Sequence, residues 1–561
     1  MERSGIRFIE PEEIGHDPSK LEAMATVYLE RDLTFQVASK AEAQAFHSAA
    51  PDTTRVSWDA EEDSWSVTRL AGSVIRVPRT LNIHRDVAGM IPSGFDFTRF
   101  GIPPDMVENV DRLTLFNIVA TVDAWLSAGM TPEELLSRVH PARIGNVQGA
   151  GIGGMRSLER LYVDPVLDRE RQGDVLQETL INVLAAYVVQ SYVGSYGPMS
   201  HPVGACATSL LSLELGLDTI RAGKAEFVVA GGYDDIGPAG QVGFSDMNAT
   251  ADTTRMQAMG LEPDQMSRPN DIRRRGFVEG QGGGTLLLAR ADVALELGLP
   301  IQGVLAWASS FGDGIHTSIP APGVGLLAAA MGRSQSPLAQ ALERFGLTAD
   351  DIALVYKHDT STAANDPNEN NVHDRIQHAI GRTQGNPLWA VSQKALTGHS
   401  KGGAAAFQAI GLCQALQHGI IPGNPNLDNV DPDMERFAHI GFTDQPLHAD
   451  AQPLRAGLVT SLGFGHVSGI ALVLHPDAFA AMLTPEQRAT WQATAQERVH
   501  RGRHDWASVR MGRATAFHKR TDRRLGAPDG SDVALEREAA MLLDPDARFD
   551  LFTQRFTTKP S

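Results

Sequence analysis

The 561-residue sequence predicts an α/β protein with an extensively buried sheet. Its middle part alternates short apolar runs, of the length of buried strands, with longer helical runs. The strand-like runs are Phe227–Ala230, Thr285–Leu288, Ile352–Tyr356, Leu388–Val391, Leu458–Ser461 and Ile470–Leu474. The helix-like runs are Val175–Val189, Leu210–Arg221 and Ala404–Leu416. A chain of this length suffices for several domains, or for one duplicated core with attachments.

A repeated turn favours the duplicated core. Gly280–Gly284 and Gly465–Gly469 each place a second glycine four residues after the first and continue into an apolar run. Each also reaches an aspartate, Asp292 or Asp477, twelve residues after its first glycine. Such turns also recur by chance in α/β proteins. If the repeat is real, residues 140–295 and 345–480 are two copies of one βα unit, and a site between them draws on both.

Composition divides the chain into four parts. Residues 1–75 are a polar, irregular N-terminal extension, 76–295 and 296–480 are the two halves of the core, and 481–561 are an Arg-rich C-terminal extension. Between Arg488 and Arg524 lie ten Lys and Arg but three acidic residues. This basic segment is either a solvated face or a docking surface for an acidic partner.

Charge and hydropathy exclude several classes of protein. The formal net charge of −18 disfavours non-specific binding of nucleic acid. Apolar stretches such as Val183–Val189 are far shorter than the roughly 20 residues of a membrane-spanning helix. The N-terminal residues lack the pattern of a secretory signal, and two cysteines cannot build a disulfide framework. We therefore expect a cytoplasmic protein with no membrane span.

Cys206 is the first candidate for chemistry. It lies among small residues directly before the amphipathic run that ends at Arg221. A thiol at a helix N-terminus is expected to have a lowered pKa, which favours the reactive thiolate. The alternative is an inert, buried cysteine. Cys413, inside the helical run Ala404–Leu416, is interpreted as a core residue of that second kind.

Two histidines occupy matching positions after strand-like runs. His358 follows Ile352–Tyr356 and opens a polar segment, and His399 lies between Leu388–Val391 and a long Ala-rich helix. A lone histidine in a turn is usually a hydrogen-bonded loop residue. Because α/β folds place active-site groups where strands end, two such histidines and Cys206 are expected to converge.

Two glycine clusters do not predict a nucleotide site. Gly149–Gly154 fits the pattern GxGxxG but lacks the acidic residue about 20 positions further on. Gln281–Gly284 lacks the Lys-Ser/Thr ending of a phosphate loop. We interpret the first cluster as tight backbone packing.

Together these motifs resemble the β-ketoacyl synthase (condensing enzyme) superfamily, above all the ketosynthase part of fungal and actinobacterial type I fatty acid synthases. The resemblance runs from about Gly5 to Asp477. Its motifs are GIRFIEPEE, VGACATS at Cys206, VAGGYDD at Val229–Asp235, SRP at Ser267–Pro269, GFVEGQGGG at Gly276–Gly284, HDTSTAANDPNE at His358–Glu369, QKALTGHSKGG at Gln393–Gly403, IIPGN at Ile420–Asn424 and SLGFG at Ser461–Gly465. It implies a thiolase-like fold, in which two related halves form a duplicated, five-layered α-β-α-β-α architecture, usually in a homodimer.

The resemblance also implies an activity, that of a 3-oxoacyl-[acyl-carrier-protein] synthase. Such an enzyme joins an acyl-Cys206 thioester to a malonyl group by decarboxylative Claisen condensation, in fatty acid or polyketide chain elongation. Its partner is acyl carrier protein, which brings the phosphopantetheine arm, so no tightly bound cofactor and no metal are expected. The chain is either a stand-alone enzyme or a piece of a multidomain fatty acid synthase.

Roles follow position by position from the same resemblance. Cys206 matches the acyl-accepting nucleophile, and His358 and His399 match the pair that handles malonyl decarboxylation. Lys394 matches the supporting lysine, expected to fix hydrogen bonds and disfavour protonation of the histidines. Glu369 matches the acidic residue of this network.

Further roles concern the walls of the site. Phe464 matches a gating aromatic whose backbone N–H, with that of Cys206, forms an oxyanion hole. Thr360 and Thr362 match hydroxyls that contact the pantetheine arm.

Three positions depart from many relatives. Asp359 replaces a glycine and adds a negative charge near the expected malonyl site. Gln281 replaces a glutamate of stand-alone relatives, and His466 replaces the second glycine of a Gly-Gly pair. The last two fit the type I branch.

Other functions are weaker matches. A cysteine hydrolase acting on thioesters needs Cys206 and one histidine, and would release free acid. Degradative thiolases use a second cysteine near Gly463–Gly469, where this chain has none. Initiating synthases use asparagine where this chain has His399, and catalytically silent partner subunits lack the nucleophile.

Overall fold

The computed structural model describes residues 4–81, 83–167, 169–170, 173, 175–314, 322–449, 453–516, 539–553 and 555–557. In the first half of the chain the strands are β1 (Ile6–Phe8), β2 (Leu21–Tyr28), β3 (Leu33–Val37), β4 (Thr54–Asp59), β5 (Ser64–Arg69), β6 (Val74–Thr80), β7 (Val87–Gly89), β8 (Ile144–Ala150), β9 (Met199–Ser200), β10 (Phe227–Asp234), β11 (Glu279–Gly280) and β12 (Gly282–Ala289). In the second half they are β13 (Val304–Gly312), β14 (Ile352–Tyr356), β15 (Leu388–Val391), β16 (Ile420–Ile421), β17 (Ile440–Gly441), β18 (Leu447–His448), β19 (Ala456–Gly463), β20 (Val467–Leu474), β21 (Arg548–Asp550) and β22 (Arg555–Thr557).

Helices lie between these strands throughout the core. Up to residue 300 they are α1 (Lys40–Ala49), α2 (Pro104–Asn109), α3 (Arg112–Ser127), α4 (Pro132–Leu136), α5 (Met155–Val166), α6 (Val175–Glu178), α7 (Ile181–Val188), α8 (Thr208–Arg221), α9 (Pro238–Asp246), α10 (Thr253–Ala258) and α11 (Ala291–Glu296). Beyond it they are α12 (Pro337–Glu343), α13 (Asn365–Ala379), α14 (Lys394–Thr397), α15 (Ala404–His418), α16 (Asp477–Ala480) and α17 (Pro485–Arg510). In the described part of the chain, no helix has both the length and the apolar character that crossing a bilayer requires.

Two mixed sheets form the core. The first has the order β12-β10-β8-β9, with β10 parallel to β8 and antiparallel to β12. The second has the order β13-β20-β19-β14-β15-β17, with β14 parallel to β19 and β15, and β20 antiparallel to β19. All six predicted strand runs lie within these sheets.

Helices α8 and α15 fill the space between the sheets. Leu210 and Leu213 of α8 and Leu412 of α15 share one apolar core with Val228 of the first sheet and Val459 of the second. Helices α3 and α7 cover the outer face of the first sheet, and α12 and α13 that of the second. The molecule therefore has the five layers that the resemblance implies.

The two glycine turns hold equivalent places in the two halves. A Cβ atom on Gly284 would lie 2.9 Å from Ile410 of α15, and one on Gly469 would lie 2.4 Å from Leu210 of α8. Each second glycine thus lets an antiparallel strand approach the central helix of the opposite half. This symmetry supports the internal duplication.

The N-terminal extension is more regular than its polar composition indicates. Strands β3, β5 and β4 form a small antiparallel sheet against α1, around a core of Val37, Ala43 and Val67. Strand β1 pairs with β7, which ties this segment to the main body. The interpretation of residues 1–75 as irregular was wrong because so small a core leaves little apolar signal in the sequence.

One of the three predicted helices differs from the observed structure. Val175–Val189 is not one helix but α6, α7 and a turn of π-helix at Val189–Val193. The break follows Glu178, whose buried carboxylate accepts the backbone N–H of Asp111 at 3.0 Å. The other two predicted helices correspond to α8 and α15.

Part of the basic C-terminal segment is a structural helix. Arg498 and Arg501 of α17 donate to the carbonyl oxygen of Gly129 and form ion pairs with Glu134. These arginines are therefore occupied by contacts within the chain. The predicted basic residues Lys519, Arg520, Arg523 and Arg524 lie outside the described residues.

Candidate active site

Cys206, His358 and His399 meet around one cavity, as the sequence predicts. The Nε2 atom of His399 lies 3.1 Å from the Sγ atom of Cys206. The two imidazole rings lie 5.1 Å apart between centroids, at 85° to each other. All three side chains are buried, and all three line a cavity of about 450 Å³ that also has exposed wall residues. The convergence expected from strand ends is confirmed.

A tight turn presents Cys206 to this cavity. The residue lies in a 3₁₀ turn, Ala205–Ala207, directly before the central helix α8. Ala205 has φ of +46°, a strained conformation for a residue with a side chain. The hydroxyl of Ser461 donates to the carbonyl oxygen of Cys206 at 2.6 Å, which fixes the turn against β19.

Burial changes the expected state of the thiol. It raises the pKa of Cys206 to about 11, while the charge of Lys394 and a hydrogen bond from the backbone N–H of Phe464 act to lower it. The prediction of a lowered pKa at the helix N-terminus is therefore wrong for the resting site, because desolvation of the thiolate outweighs the helix dipole. Reaction then requires a nearby base, and His399 is within hydrogen-bond distance.

Both histidines are held in the neutral form. Burial, and then the charge of Lys394, holds the pKa of His358 and of His399 well below its usual range. The backbone N–H of His358 donates to Glu369 at 2.6 Å, and that of His399 donates to the carbonyl oxygen of Val278 at 2.7 Å. Neutral imidazoles can accept the thiol proton or donate an N–H to a developing anion.

Lys394 affects the site through its charge and through a hydrogen bond to a backbone oxygen. Its buried ammonium donates to the carbonyl oxygen of His358 and, at 3.4 Å, to Gln408. Burial lowers its pKa to about 8, against the opposing charge of Glu369. Its predicted influence on the histidines agrees with their lowered pKa values. Its hydrogen bond, however, goes to a backbone oxygen and not to an imidazole nitrogen.

Glu369 is the anchor of the His358 loop. Its carboxylate accepts the backbone N–H groups of His358 and Asp359, at 2.6 and 2.8 Å, and the hydroxyl of Thr460 at 2.7 Å. Burial acts to raise its pKa, but the His373 imidazole and the charge of Lys357 hold it below the usual range. The charged carboxylate on α13 thus fixes the loop that carries His358.

The other predicted residues also face the cavity. Thr360 and Thr362 line it, with their hydroxyls 3.2 Å apart. Phe464 lines it too, and its backbone N–H points to the Cys206 sulfur. These positions agree with contacts to a pantetheine arm and with one half of an oxyanion hole; the roles themselves stay predictions.

The three departures from relatives have structural explanations. Asp359 has φ of +33° and His466 has φ of +63°, so glycine in relatives suits the backbone at both positions. The Asp359 carboxylate is turned into a buried ion pair with Lys357. Gln281 donates to the carboxylate of Asp235 at 3.0 Å, where a glutamate would place two carboxylates together.

Several residues of the cavity wall were not among those predicted from the sequence. Phe244 and Phe277 line it, and the ring of Phe277 packs edge-on against that of His399. Lys401 lines it as well and forms a buried ion pair with Glu279 at 2.8 Å. Of these three wall residues, Phe277 lies in the motif GFVEG and Lys401 in the motif GHSKGG, so both motifs contained a signal that could have identified them.

Comparison with known proteins agrees with this geometry. Family models for the N-terminal and C-terminal domains of β-ketoacyl synthases match residues 54–294 and 303–428. The fatty acid synthase alpha subunit stcJ of Emericella nidulans is 39% identical over 87% of this chain and 31% of its own length. Fatty acid synthase 2 of Mycosarcoma maydis is 36% identical over 99% of this chain and 15% of its own length. The chain thus spans less than a third of these relatives.

Solved structures show the same fold. The noncanonical ketosynthase FabY from P. aeruginosa superposes with a TM-score of 0.78 at 23% identity, over 92% of this chain and 80% of that one. The ishigamide ketosynthase/chain length factor has a TM-score of 0.57 at 21% identity, over 81% of this chain and all of its own. With the family models and the fungal relatives, these matches show that the chain belongs to the β-ketoacyl synthase family.

Proposed function

We propose that this chain is a 3-oxoacyl-[acyl-carrier-protein] synthase that elongates acyl chains in fatty acid biosynthesis. The observation that carries the proposal is the 3.1 Å contact of the Cys206 thiol with His399, beside a second neutral imidazole, that of His358. A nucleophile with a base serves acyl transfer. Two N–H donors facing the same cavity serve the decarboxylation that follows.

The first half-reaction forms the acyl-enzyme. The Cys206 thiol transfers its proton to Nε2 of His399, and its sulfur attacks the carbonyl carbon of an incoming acyl thioester. The C–S bond to the pantetheine thiol breaks, and that thiol leaves with the proton held by His399. One thioester is broken and one is formed, so the step needs no further reactant.

The second half-reaction forms the carbon–carbon bond. The bond between the malonyl α-carbon and its carboxylate breaks, carbon dioxide leaves, and the electron pair passes to the thioester oxygen as an enolate. N–H groups of His358 and His399 stabilise this charge, each by on the order of 3 kcal/mol when well placed. The α-carbon then attacks acyl-Cys206, the oxyanion forms beside the backbone N–H of Phe464, and the Cys206 thiolate leaves as the carbonyl reforms. The thiolate takes up one proton from solvent water, so each condensation consumes one proton.

The histidines suit this chemistry because they are neutral. An imidazolium at either position would be poor at accepting the thiol proton, and the charge of Lys394 disfavours it. The chemistry needs no resident cofactor, because the thiol, the imidazoles and backbone N–H groups account for every step. We propose that the phosphopantetheine arm arrives with the substrate and contacts Thr360 and Thr362.

A thioester hydrolase is the less favoured reading. It would use Cys206 with His399 but would leave His358 without a role, although His358 faces the same cavity and is fixed there by Glu369. Condensation accounts for both histidines.

Acyl carrier protein is the proposed partner. The fungal relatives are a fatty acid synthase and a fatty acid synthase alpha subunit, and this chain matches less than a third of the length of each. A solved complex joins the acyl carrier protein of a type II polyketide synthase to its ketosynthase, which is 21% identical to this chain. We propose that this chain takes its substrates from a carrier protein, either alone or within a larger synthase.

A homodimer is proposed from exposed apolar side chains. Leu158, Tyr162 and Val166 are exposed on α5, and Met199 and Val203 are exposed near the edge strand β9. An open sheet edge beside apolar side chains is typical of a surface that a second subunit covers. Both cysteines are free thiols, which supports a reducing, cytoplasmic location.

Mass spectrometry of the intact protein tests the proposal. Incubation with an acyl thioester is expected to add one acyl group to the peptide that contains Cys206. Malonyl thioester is then expected to remove that group as a 3-oxoacyl product two carbons longer. Release of free acid, with no new carbon–carbon bond, would favour the hydrolase. A Cys206→Ala variant provides the unacylated control.

A further inference from the structure

The outer end of the active-site cavity has charged residues that the proposed reaction does not use. At its inner end are the buried groups Cys206, His358 and His399. At its outer end the wall includes two exposed arginines, Arg255 and Arg275. The same cavity therefore joins the reacting sulfur to a basic rim at the protein surface.

Neither rim arginine forms an ion pair within the described residues. One guanidinium nitrogen of Arg275, Nη1, donates to the backbone carbonyl oxygens of Arg274 and Ile272, at 2.7 and 3.3 Å. Arg255 forms a hydrogen bond through its backbone N–H, which donates to the Asp252 carboxylate at the start of α10. Both side chains line the cavity and are exposed.

The two arginines that precede Arg275 in the chain form ion pairs with carboxylates. Arg274 is buried and forms ion pairs with Asp431 and Asp366, and Arg273 forms one with Asp428. In the run Arg273–Arg275, two arginines therefore stabilise the fold through carboxylates, while the third is exposed at the cavity mouth.

The charge balance at the mouth is positive. Asp252 is the acidic residue among the described residues that line the cavity, and one of its oxygens already accepts the backbone N–H of Arg255. Further inside, Lys401 is neutralised by Glu279. A basic rim in a protein of formal net charge −18 attracts an anionic ligand to this opening.

We propose that Arg255 and Arg275 form a phosphate site at the mouth of the cavity, which recognises the phosphate group of a phosphopantetheine thioester whose acyl end reaches Cys206. This inference rests on the proposed function and adds the residues that select its substrate. A guanidinium offers two parallel N–H groups to two phosphate oxygens, so Arg275 can bind phosphate while Nη1 remains on the backbone. The phosphate is either the diester of a carrier protein or the corresponding group of coenzyme A.

The test compares donors that differ in the phosphate. Condensation is measured with malonyl-phosphopantetheine and with malonyl-pantetheine, which lacks it. The native protein is expected to show a kcat/KM at least tenfold higher for the phosphorylated donor, and Arg275→Ala to reduce that ratio to within about twofold. Arg255→Ala should reduce it less, and Arg275→Lys should restore part of it, since lysine keeps the charge but not the paired N–H groups.

A matched control removes the same charge elsewhere. Arg344 is exposed at the end of α12 and does not line the cavity, so Arg344→Ala should leave the ratio unchanged. Malonyl-coenzyme A and malonyl carrier protein are tested as further donors. The donor whose kcat/KM falls most in Arg275→Ala identifies the source of the phosphate that the site recognises. The preference should also weaken at high ionic strength.

A second measurement is independent of turnover. Phosphopantetheine should protect the Cys206 thiol from alkylation by iodoacetamide more strongly than pantetheine does, and Arg275→Ala should abolish the difference. Equal use of both donors, or equal protection by both compounds, would overturn the phosphate site while leaving the condensing activity intact. Protection that depends on phosphate without condensation would keep the site and contradict the proposed function.

Discussion

The Nζ atom of Lys357 lies 2.6 Å from the Oδ1 atom of Asp359, and both side chains are fully buried. Asn270 and Ser392 donate to the other carboxylate oxygen, at 3.0 and 2.6 Å, and Lys357 also donates to Asn370 at 2.6 Å. The charge that Asp359 brings is therefore compensated inside the protein. It anchors the His358 loop and does not act as an unpaired anion at the malonyl site.

Removing one member of this pair is expected to destabilise the protein. Asp359→Gly relieves the strain of a positive φ, worth about 1–3 kcal/mol, but leaves the Lys357 ammonium buried and unpaired, which costs about 3–5 kcal/mol. The melting temperature should therefore fall. In the double variant Lys357→Met/Asp359→Gly it should recover in part, because no unpaired charge remains. A single variant as stable as the native protein would contradict the compensation argument.

Substitutions of the two histidines are expected to affect the two half-reactions differently. His399 touches the thiol, so His399→Ala should slow both the acylation of Cys206 and the decarboxylation of malonyl thioester. In the described part of the chain His358 forms no hydrogen bond to the sulfur, and its Nδ1 atom is 3.4 Å from the hydroxyl of Ser461. His358→Ala should therefore lower decarboxylation by about 10²–10³-fold and leave most of the acylation rate.

Burst acylation and release of carbon dioxide, measured separately, distinguish these outcomes. Cys413→Ala is the matched control, since that thiol lies outside the cavity and should affect neither rate. Equal losses of both steps in both histidine variants would contradict the division of roles.

The pH dependence of thiol alkylation follows from the raised pKa of Cys206. At pH values below this pKa of about 11, the thiolate fraction rises roughly tenfold for each pH unit. Alkylation of the Cys206 peptide by iodoacetamide should therefore keep rising between about pH 7 and pH 9. A thiol whose pKa is lowered by the helix N-terminus would instead reach a plateau near neutrality.

Lys394→Met provides the complementary change. The positive charge of Lys394 favours the thiolate, so its removal should raise the pKa of Cys206 further. Because the pKa of Lys394 is about 8, alkylation should slow most below pH 8, where the native ammonium is charged, and less at pH 9. Faster alkylation in this variant would contradict the stabilisation of the thiolate by the Lys394 charge.

The core and the convergence of the three groups could be predicted from the sequence. Strand runs such as Ile352–Tyr356 are short, apolar and buried, so local pattern and tertiary structure agree. The state of Cys206 could not be predicted, because desolvation depends on side chains contributed by several distant segments. The partner of Asp359 was within reach, since Lys357 is two residues earlier in the chain.

The structures of the N-terminal and C-terminal segments could not be predicted from the sequence, for a different reason. Residues 33–69 form a sheet around three small or medium apolar side chains, a pattern too weak to distinguish from a polar loop. In α17, the arginines at positions 498 and 501 belong to a basic segment whose composition indicated a solvated face or a docking surface. Their contacts with Gly129 and Glu134 depend on a close helix–helix approach that composition does not reveal.

That approach gives the last prediction, at Gly502. A Cβ atom there would lie 2.3 Å from the carbonyl oxygen of Leu126, so Gly502→Ala should force α17 away from α3 and lower the melting temperature. If α17 were only a solvated helix, the same change would stabilise it, by about 1 kcal/mol, because alanine is the better helix former. Arg503→Ala, at the next and exposed position, is the control and should have little effect. Displacement of α17 should also expose Trp491, whose indole N–H donates to the carbonyl oxygen of Leu299 at 2.8 Å, and shift its fluorescence to longer wavelength.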